Sequence, residues 1–313
     1  YYICERANEY LQKNKVDFIL ATGEPFILFK YAYSLSKKFN VPLILDYRDG
    51  WTTNHTISNS PINALRIKFE TLFEKKYLKH ALLYSSVSDG VINEIEKKHT
   101  APPTKKLLIK NGTETDEFIS VTKKDSTIFK LVYSGTLYDS SPVNELLEGI
   151  ERFINKAKPE NYNIIFIGIR LRPCKHIGII ENFKEKYPNQ VKIIDSMPHA
   201  QLAHYLVNAS VLLLLLMKSQ KKGIIGGKTY EYAATRNPIL VVQEERTEET
   251  PFFQGRDIQT FAFTADEVAE KIESYYTKFQ QGISIQTSIT DEEIFSISRE
   301  YQVKLLAEKL NNL

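Results

Sequence analysis

Short, almost wholly apolar runs alternate along the chain with longer amphipathic segments, and this alternation constrains the fold more than any other feature. The runs Val16–Ala21 (VDFILA), Val41–Asp46 (VPLILD), Ala81–Val87 (ALLYSSV) and Lys106–Lys110 (KLLIK) predict strands. So do Lys130–Ser134, Asn163–Gly168 (NIIFIG), Val191–Asp195, Ser210–Leu216, Pro238–Val242 and Thr260–Phe263. Helix-length segments lie between them: Pro25–Phe39, Ile62–His80, Val143–Lys156, Lys175–Tyr187 and Ala265–Gln280. Strands that are apolar throughout and separated by helices form parallel sheets covered on both faces. The predicted class is therefore α/β, doubly wound.

The pattern restarts once. Around Glu114–Thr127 the chain turns polar (ETDEFISVTKKDST), then a fresh strand, KLVYS, leads into Gly135, so this stretch reads as an interdomain linker. A length of 313 residues suits two domains of roughly 150 residues each. The segment Asp291–Leu313 shows an uninterrupted helical pattern with no strand after it. Hydrophobic residues at 42% and charged residues at 25% allow a sizeable core and argue against wholesale disorder. A net charge of +3 is too weak a bias to indicate nucleic acid. Cys4 and Cys174 are the only cysteines, which points to a reducing compartment and excludes a cysteine-based zinc site. No apolar run approaches the roughly 18 residues that span a bilayer, and no secretory signal is visible. The chain opens YYICERANEY, without an initiator methionine and already in helical periodicity, and is read as lacking its beginning.

Ligands of such sheets sit beyond the carboxyl ends of the strands, where loops enter helix N-termini. At one such end KKGIIGGKTYEY (Lys221–Tyr232) follows the run VLLLLLM. A P-loop would need a glycine five positions before Gly227-Lys228-Thr229, and that position is Lys222. The same physics operates without that motif. Gly223, Gly226 and Gly227 let a ligand approach the backbone, a helix starting near Lys228 offers free N–H groups, and Lys228 adds a charge suited to phosphate. Glu231 lies three residues on, on the same side, and a carboxylate there can accept two hydrogen bonds from a ribose diol. A glycine-rich loop with a surface lysine and a capping glutamate would read the same way.

Other strand ends bear on that choice. VYSGTLYDSSPV (Val132–Val143) brings Gly135 and Thr136 to a second strand-to-helix crossing with amides and a hydroxyl for an anion. In LILDYRDGWT (Leu43–Thr52) a buried strand runs into Asp46, Arg48 and Asp49, either as a site or with Arg48 and Asp49 as a structural ion pair. IFIGIRLRP (Ile165–Pro173) carries Arg170 and Arg172, able to neutralise a diphosphate or simply solvated.

In their order these segments resemble a GT-B glycosyltransferase similar to family 4, the large bacterial group that builds surface polysaccharides. The resemblance rests on ILATGEPF (Ile19–Phe26), LILDYRDGWT, SSVSDGVINEI (Ser85–Ile95), IKNGTETDEF (Ile109–Phe118), LVYSGTL, HAQLAHYLVNASVLLLLL (His199–Leu216), GGKTYEYAATRNPIL (Gly226–Leu240) and the closing helix. It covers essentially the whole chain. It implies two Rossmann-like domains facing a cleft: an incomplete acceptor-side domain over residues 1–120 and a donor domain over 121–290. A closing helix, 291–313, would cross back to the first. Glu231 falls at the second glutamate of the family's Glu-x7-Glu element, expected on the donor ribose. Lys228, Gly226, Gly227, Gly135 and Thr136 fall along the diphosphate, with Arg170 as an added cation. Arg48 and Asp49 would line the acceptor side as the catalytic candidates. Two departures stand out. Gly223 occupies the place of the first glutamate, and the first donor-domain loop, GTLYDSS, lacks the family's arginine and lysine; Arg170, Arg172 or Lys222 would have to supply the charge.

The implied reaction moves a sugar from a UDP- or GDP-sugar to a hydroxyl of a glycan or lipid-linked acceptor, with retention, at the cytoplasmic side. The departing diphosphate carries negative charge, which cations and helix N-termini stabilise. A metal is then unnecessary, no cofactor is expected, and no Asp-x-Asp pair is present. The alternatives are a nucleotide-sugar epimerase on the same fold or a non-catalytic nucleotide-sugar-binding subunit, which the Gly223 departure makes credible. His55, His80, His99, His176, His199 and His204 form no HExxH pattern and are assigned structural or surface roles. The stretch Arg66–His80 is basic and amphipathic, a solvated face over the core or, with a lipid-linked acceptor, a peripheral contact with anionic lipid. Asn111-Gly112 reads as a tight turn.

Overall fold

The computed structural model describes residues 2–53, 60–100, 105–216, 225–244 and 257–312; His55, Lys222 and Gly223 lie outside them. Strands form at all ten apolar runs. Four belong to one parallel sheet, in the order β1 (Ile19–Gly23), β2 (Leu43–Tyr47), β3 (Leu83–Ser86) and β4 (Lys106–Leu108). Six belong to another: β5 (Phe129–Ser134), β6 (Tyr162–Ile167), β7 (Val191–Ile194), β8 (Val211–Leu215), β9 (Ile239–Val242) and β10 (Gln259–Ala262). Their spatial order is β10-β9-β8-β5-β6-β7, again all parallel.

The described residues fall into two compact units. One holds those up to Lys110, Ile225 and those from Gln302 onward; the other holds residues 111–216 and the described part of 226–301. The polar stretch read as a linker, Glu114–Thr127, thus lies inside the second unit. It carries a short helix, α5 (Asp116–Ile119), whose Phe118 is buried in that unit's core.

In the first unit α1 (Tyr2–Lys13), α2 (Ile27–Phe39), α3 (Pro61–His80) and α4 (Asp89–His99) accompany the sheet. Phe29, Leu43, Leu45, Tyr47, Tyr84 and Ile92 are among the buried residues of its core. Helix α3 starts where Ser60 accepts a hydrogen bond from the Asn63 amide and Pro61 occupies a first-turn position. Ser88 caps α4 in the same way through the Val91 amide.

In the second unit alternation along β5 sends Phe129, Leu131 and Tyr133 to one core and Val132 to the other, so both faces of the sheet are covered. The remaining helices are α6 (Val143–Ala157), α7 (His176–Lys186), α8 (His199–Val207), α9 (Gly227–Ala234), α10 (Ala265–Gln280), α11 (Asp291–Ser296) and α12 (Arg299–Asn311), the last belonging to the first unit from Gln302 onward. Val143, Leu146, Leu147, Ile150 and Phe153 form the buried stripe of α6, which packs on α10. Gly149 lets Val268 approach; a Cβ there would lie 2.5 Å from the valine's Cβ.

The closing segment differs from expectation. It is two helices, α11 and α12, rather than one. Thr290 and Glu293 form a reciprocal capping box that starts α11. The break falls at Ser298, whose backbone pairs in parallel with Thr113. The Thr113 amide donates to the Ile297 carbonyl at 3.0 Å, and the Arg299 amide donates to the Thr113 carbonyl at 3.0 Å. Gly112, at φ +62°, permits this approach, so Asn111-Gly112 anchors the closing segment.

Candidate functional site

The strand order of the second unit reverses beside β5: β6 and β7 follow on one side, β8, β9 and β10 on the other. Loops leaving adjacent strands on either side of such a reversal diverge and leave a crevice at the carboxyl ends. The loop after β5 begins with Gly135-Thr136, and α9 opens after the segment that follows β8. The two stretches singled out in the sequence are therefore the two that flank this point.

Lys228 joins them. Its Nζ donates to the Tyr133 hydroxyl at 3.0 Å and to the Thr136 carbonyl at 3.4 Å, and it stands 4.5 Å from the centre of the Tyr133 ring. Gly135, at φ +101°, lies directly beneath the lysine side chain. Burial disfavours the ammonium and lowers the Lys228 pKa to about 8, while Glu231 acts in the opposite sense. The Tyr133 hydroxyl donates to the Thr136 carbonyl at 2.9 Å, and burial raises its pKa.

Helix α9 is held by two tyrosines on either side of Glu231. The Tyr232 hydroxyl accepts from the Ser134 amide at 3.0 Å, tying the helix to the end of β5. Tyr230 is buried and hydrogen-bonded to the backbone of Asn111. Gly226 caps the helix at φ −69° and ψ 154°, an extended conformation open to any residue. Among the described residues, no heavy atom outside its local backbone lies within 4 Å of where a Cβ on Gly227 would sit. The first-turn N–H groups and the positive dipole end of such a helix favour an anion, although the Thr229 amide already donates to the Gly226 carbonyl at 3.0 Å.

Glu231 is joined by a histidine that the sequence reading assigned a structural or surface role. The two ring nitrogens of His199, first residue of α8, face two carboxylates: Nδ1 meets Glu117 of α5, and Nε2 lies 3.4 Å from Glu231 Oε1. The ring stands edge-on to Phe118. Partial burial alone would lower the His199 pKa; the two carboxylates outweigh it, and the net shift is upward. His199 and Glu117 both sit in stretches quoted for the family resemblance, but nothing in their spacing signals the contact.

Arg170 is engaged elsewhere in the second unit: its guanidinium pairs with Glu181 at 2.7 Å and Asp195 at 3.7 Å. Arg172 is exposed.

In the first unit the carboxyl end of β2 carries Asp46, Arg48 and Asp49. Asp46 is buried and accepts hydrogen bonds from Ser85 Oγ at 2.7 Å and Arg48 Nε at 2.8 Å. The partner of Arg48 is thus Asp46; Asp49 is exposed. The segment that follows is pinned to α3 and α4. Trp51 donates to Glu70 at 3.1 Å, Thr52 donates to the buried Glu74, and His99 pairs with Glu74 at 2.9 Å.

Two features of the described residues bear on partners. No helix is long and apolar enough to cross a membrane. Helix α3, however, is apolar on two opposite sides. Glu74, Tyr77 and Leu78 face inward, whereas Ile62, Leu65, Phe69, Leu72 and Phe73 face outward, with Phe73 50% and Ile62 81% exposed. Arg66, Lys68, Lys75, Lys76 and Lys79 lie among and beside them on the same helix.

No family model and no curated protein matches the sequence. Solved structures do match. The HepE protein of Anabaena, in complex with UDP, aligns over 100% of this chain and 81% of its own at a TM-score of 0.68 and 12% identity. A glycosyltransferase of Rickettsia africae aligns over 99% and 78% at 0.66 and 14%. A Listeria monocytogenes protein provisionally assigned as a UDP-N-acetylglucosamine 2-epimerase aligns over 100% and 80% at 0.59 and 10%. Identities this low establish a shared fold and no more. That fold is the GT-B type, α/β with two Rossmann-like doubly wound domains.

Proposed function

We propose that this chain is a glycosyltransferase that moves a sugar from a nucleoside diphosphate sugar to a hydroxyl acceptor, with retention at the anomeric carbon, in the synthesis of a bacterial surface polysaccharide. The observation that carries the reading is the joining of Lys228, Gly135 and Thr136 at the reversal point of the six-stranded sheet, with Glu231 on the same short helix. Lysine, open backbone and a helix N-terminus suit a diphosphate, and a carboxylate a few residues further on suits a ribose diol. UDP in the HepE structure supports a uridine nucleotide as the first donor to test.

In this reading bond cleavage leaves charge on the diphosphate. Lys228 and the amides at the start of α9 stabilise it most as it departs, which lowers the barrier. Glu231 fixes the nucleotide through its ribose, and Gly226 and Gly227 leave room for close approach. Arg48 and Asp49 serve the acceptor side, where Asp46 orients the arginine. Arg170 contributes by exchanging a carboxylate partner for a phosphate. The acceptor is a glycan or lipid-linked sugar, and the outward face of α3 supports a peripheral contact with the inner membrane surface. The acceptor-side part, expected over 1–120, is taken to end at Lys110, and the donor part, expected over 121–290, to begin at Asn111; the reaction needs no metal.

A thermal-shift panel of UDP, GDP and their sugars tests the donor site. Stabilisation by one nucleotide series, lost in Glu231→Ala, is the expected result; no stabilisation by any of them overturns the reading. The Listeria likeness keeps an epimerase in view, and Gly223 keeps a subunit that binds without turning over. Product assays with a bound donor separate these, with sugar appearing on an acceptor, on the nucleotide as an epimer, or nowhere.

A further inference from the structure

His199 stands between two carboxylates on two other elements, Glu117 of α5 and Glu231 of α9. A neutral imidazole donates from only one nitrogen and would present a lone pair to one of these carboxylates; the imidazolium donates to both. We propose that His199, as a cationic bridge, is the positioning residue that holds the Glu231 carboxylate toward the ribose hydroxyls of the donor nucleotide. This deepens the donor reading above and rests on it.

The geometry favours holding over screening. The bridge occupies one oxygen of Glu231, Oε1, and leaves Oε2 able to accept from a hydroxyl. The Glu231 side chain is only 25% exposed, and α9 is fixed on either side by Tyr230 and Tyr232, so the histidine acts on the one side chain between them that would otherwise rotate. The edge of Phe118 limits rotation of the imidazole itself. Among the described residues, the charged groups that face the ring are Glu117 and Glu231, both anionic, so the cation is favoured. It is lost as pH rises through the elevated His199 pKa.

The test compares UDP with 2′,3′-dideoxy-UDP across pH by calorimetric titration, with GDP and its dideoxy form used if the donor panel selects guanosine. Taking the ratio of the two affinities cancels the diphosphate contribution of Lys228, which has its own pH dependence. In the wild type the hydroxyl-bearing nucleotide is expected to bind about tenfold or more tightly at low pH, the size of a hydrogen bond to a charged group. That preference should decline as pH rises. In His199→Gln it should be small and flat, and in Glu117→Gln it should decline at lower pH because one carboxylate no longer supports the cation. Melting temperatures of the free variants serve as the folding control. A preference that is unchanged in His199→Gln, or equally pH-dependent there, overturns the proposal alone. A preference absent from the wild type, or binding of neither nucleotide, overturns the donor reading together with it.

Discussion

A methyl group added to Gly135 would sit 2.6 Å from Lys228 Cε, and the residue's φ of +101° lies where side chains are strained. Gly135 therefore serves the lysine as much as the loop: with a side chain there, the ammonium could not lie over Tyr133 and beside the Thr136 carbonyl. Gly135→Ala is expected to displace it and weaken nucleotide diphosphate binding by roughly ten- to a hundredfold, the range for a lost hydrogen bond to a charged group. Lys228→Met should weaken it by a similar factor, and the two effects should not add, since both remove one interaction. The lysine also sets a pH dependence. Its pKa is lowered to about 8, so below that value the ammonium is present for the diphosphate, and above it the affinity of the wild type falls. Calorimetric titration of UDP on either side of that pKa checks this. A slope that persists in Lys228→Met after the hydroxyl-dependent part is subtracted would assign the titration to another group.

Among elements, α3 joins the first unit's core through Tyr77 and Leu78 while presenting Ile62, Leu65, Phe69, Leu72 and Phe73 outward. Glu74 is turned to His99, and Glu70 accepts from Trp51 and lies 3.5 Å from Arg66, so the exposed side combines large apolar groups with the cations Lys68, Lys75, Lys76 and Lys79 and the paired Arg66. Such a surface matches anionic lipid, and two copies of it would repel each other. Flotation with phosphatidylglycerol vesicles should recover the chain, neutral phosphatidylcholine vesicles should recover far less, and salt should reduce binding. Leu65→Ser with Phe69→Ser should lower partitioning at least about tenfold, given roughly 1.5–3 kcal/mol for each large apolar side chain withdrawn from water. Equal recovery on neutral vesicles, or no loss in the double variant, would exclude this face. The same helix marks the limit of what could be read from sequence. The strands were legible because burial on both faces writes a continuous apolar run. An α3 that is apolar on opposite sides presents the same residues as an ordinary core helix, and only its neighbours reveal which side is covered. The break at Ser298 depends on Thr113, and the role of His199 on Glu117, partners too far along the chain for any local pattern to register.

For the molecule as a whole, the two units have separate cores: Phe29, Leu45 and Tyr84 belong to one, and the two faces of the six-stranded sheet to the other. Every group proposed to hold the donor lies in the second. A ligand stabilises only the folded part that binds it, by about 2.7 kcal/mol at a hundred times its Kd. Separate cores predict that scanning calorimetry resolves two transitions and that UDP raises one of them. Glu231→Ala should abolish the rise without moving the other transition. The unshifted transition should instead respond to Glu74→Gln, because Glu74 is buried in the first unit with Thr52 and His99 hydrogen-bonded to it, and disturbing a buried hydrogen-bond partner is expected to cost about 1–3 kcal/mol. A single transition that moves as one under both UDP and Glu74→Gln would mean that the units unfold cooperatively, and nucleotide occupancy would then be energetically linked to the first unit, where Arg48 and Asp49 are proposed to serve the acceptor.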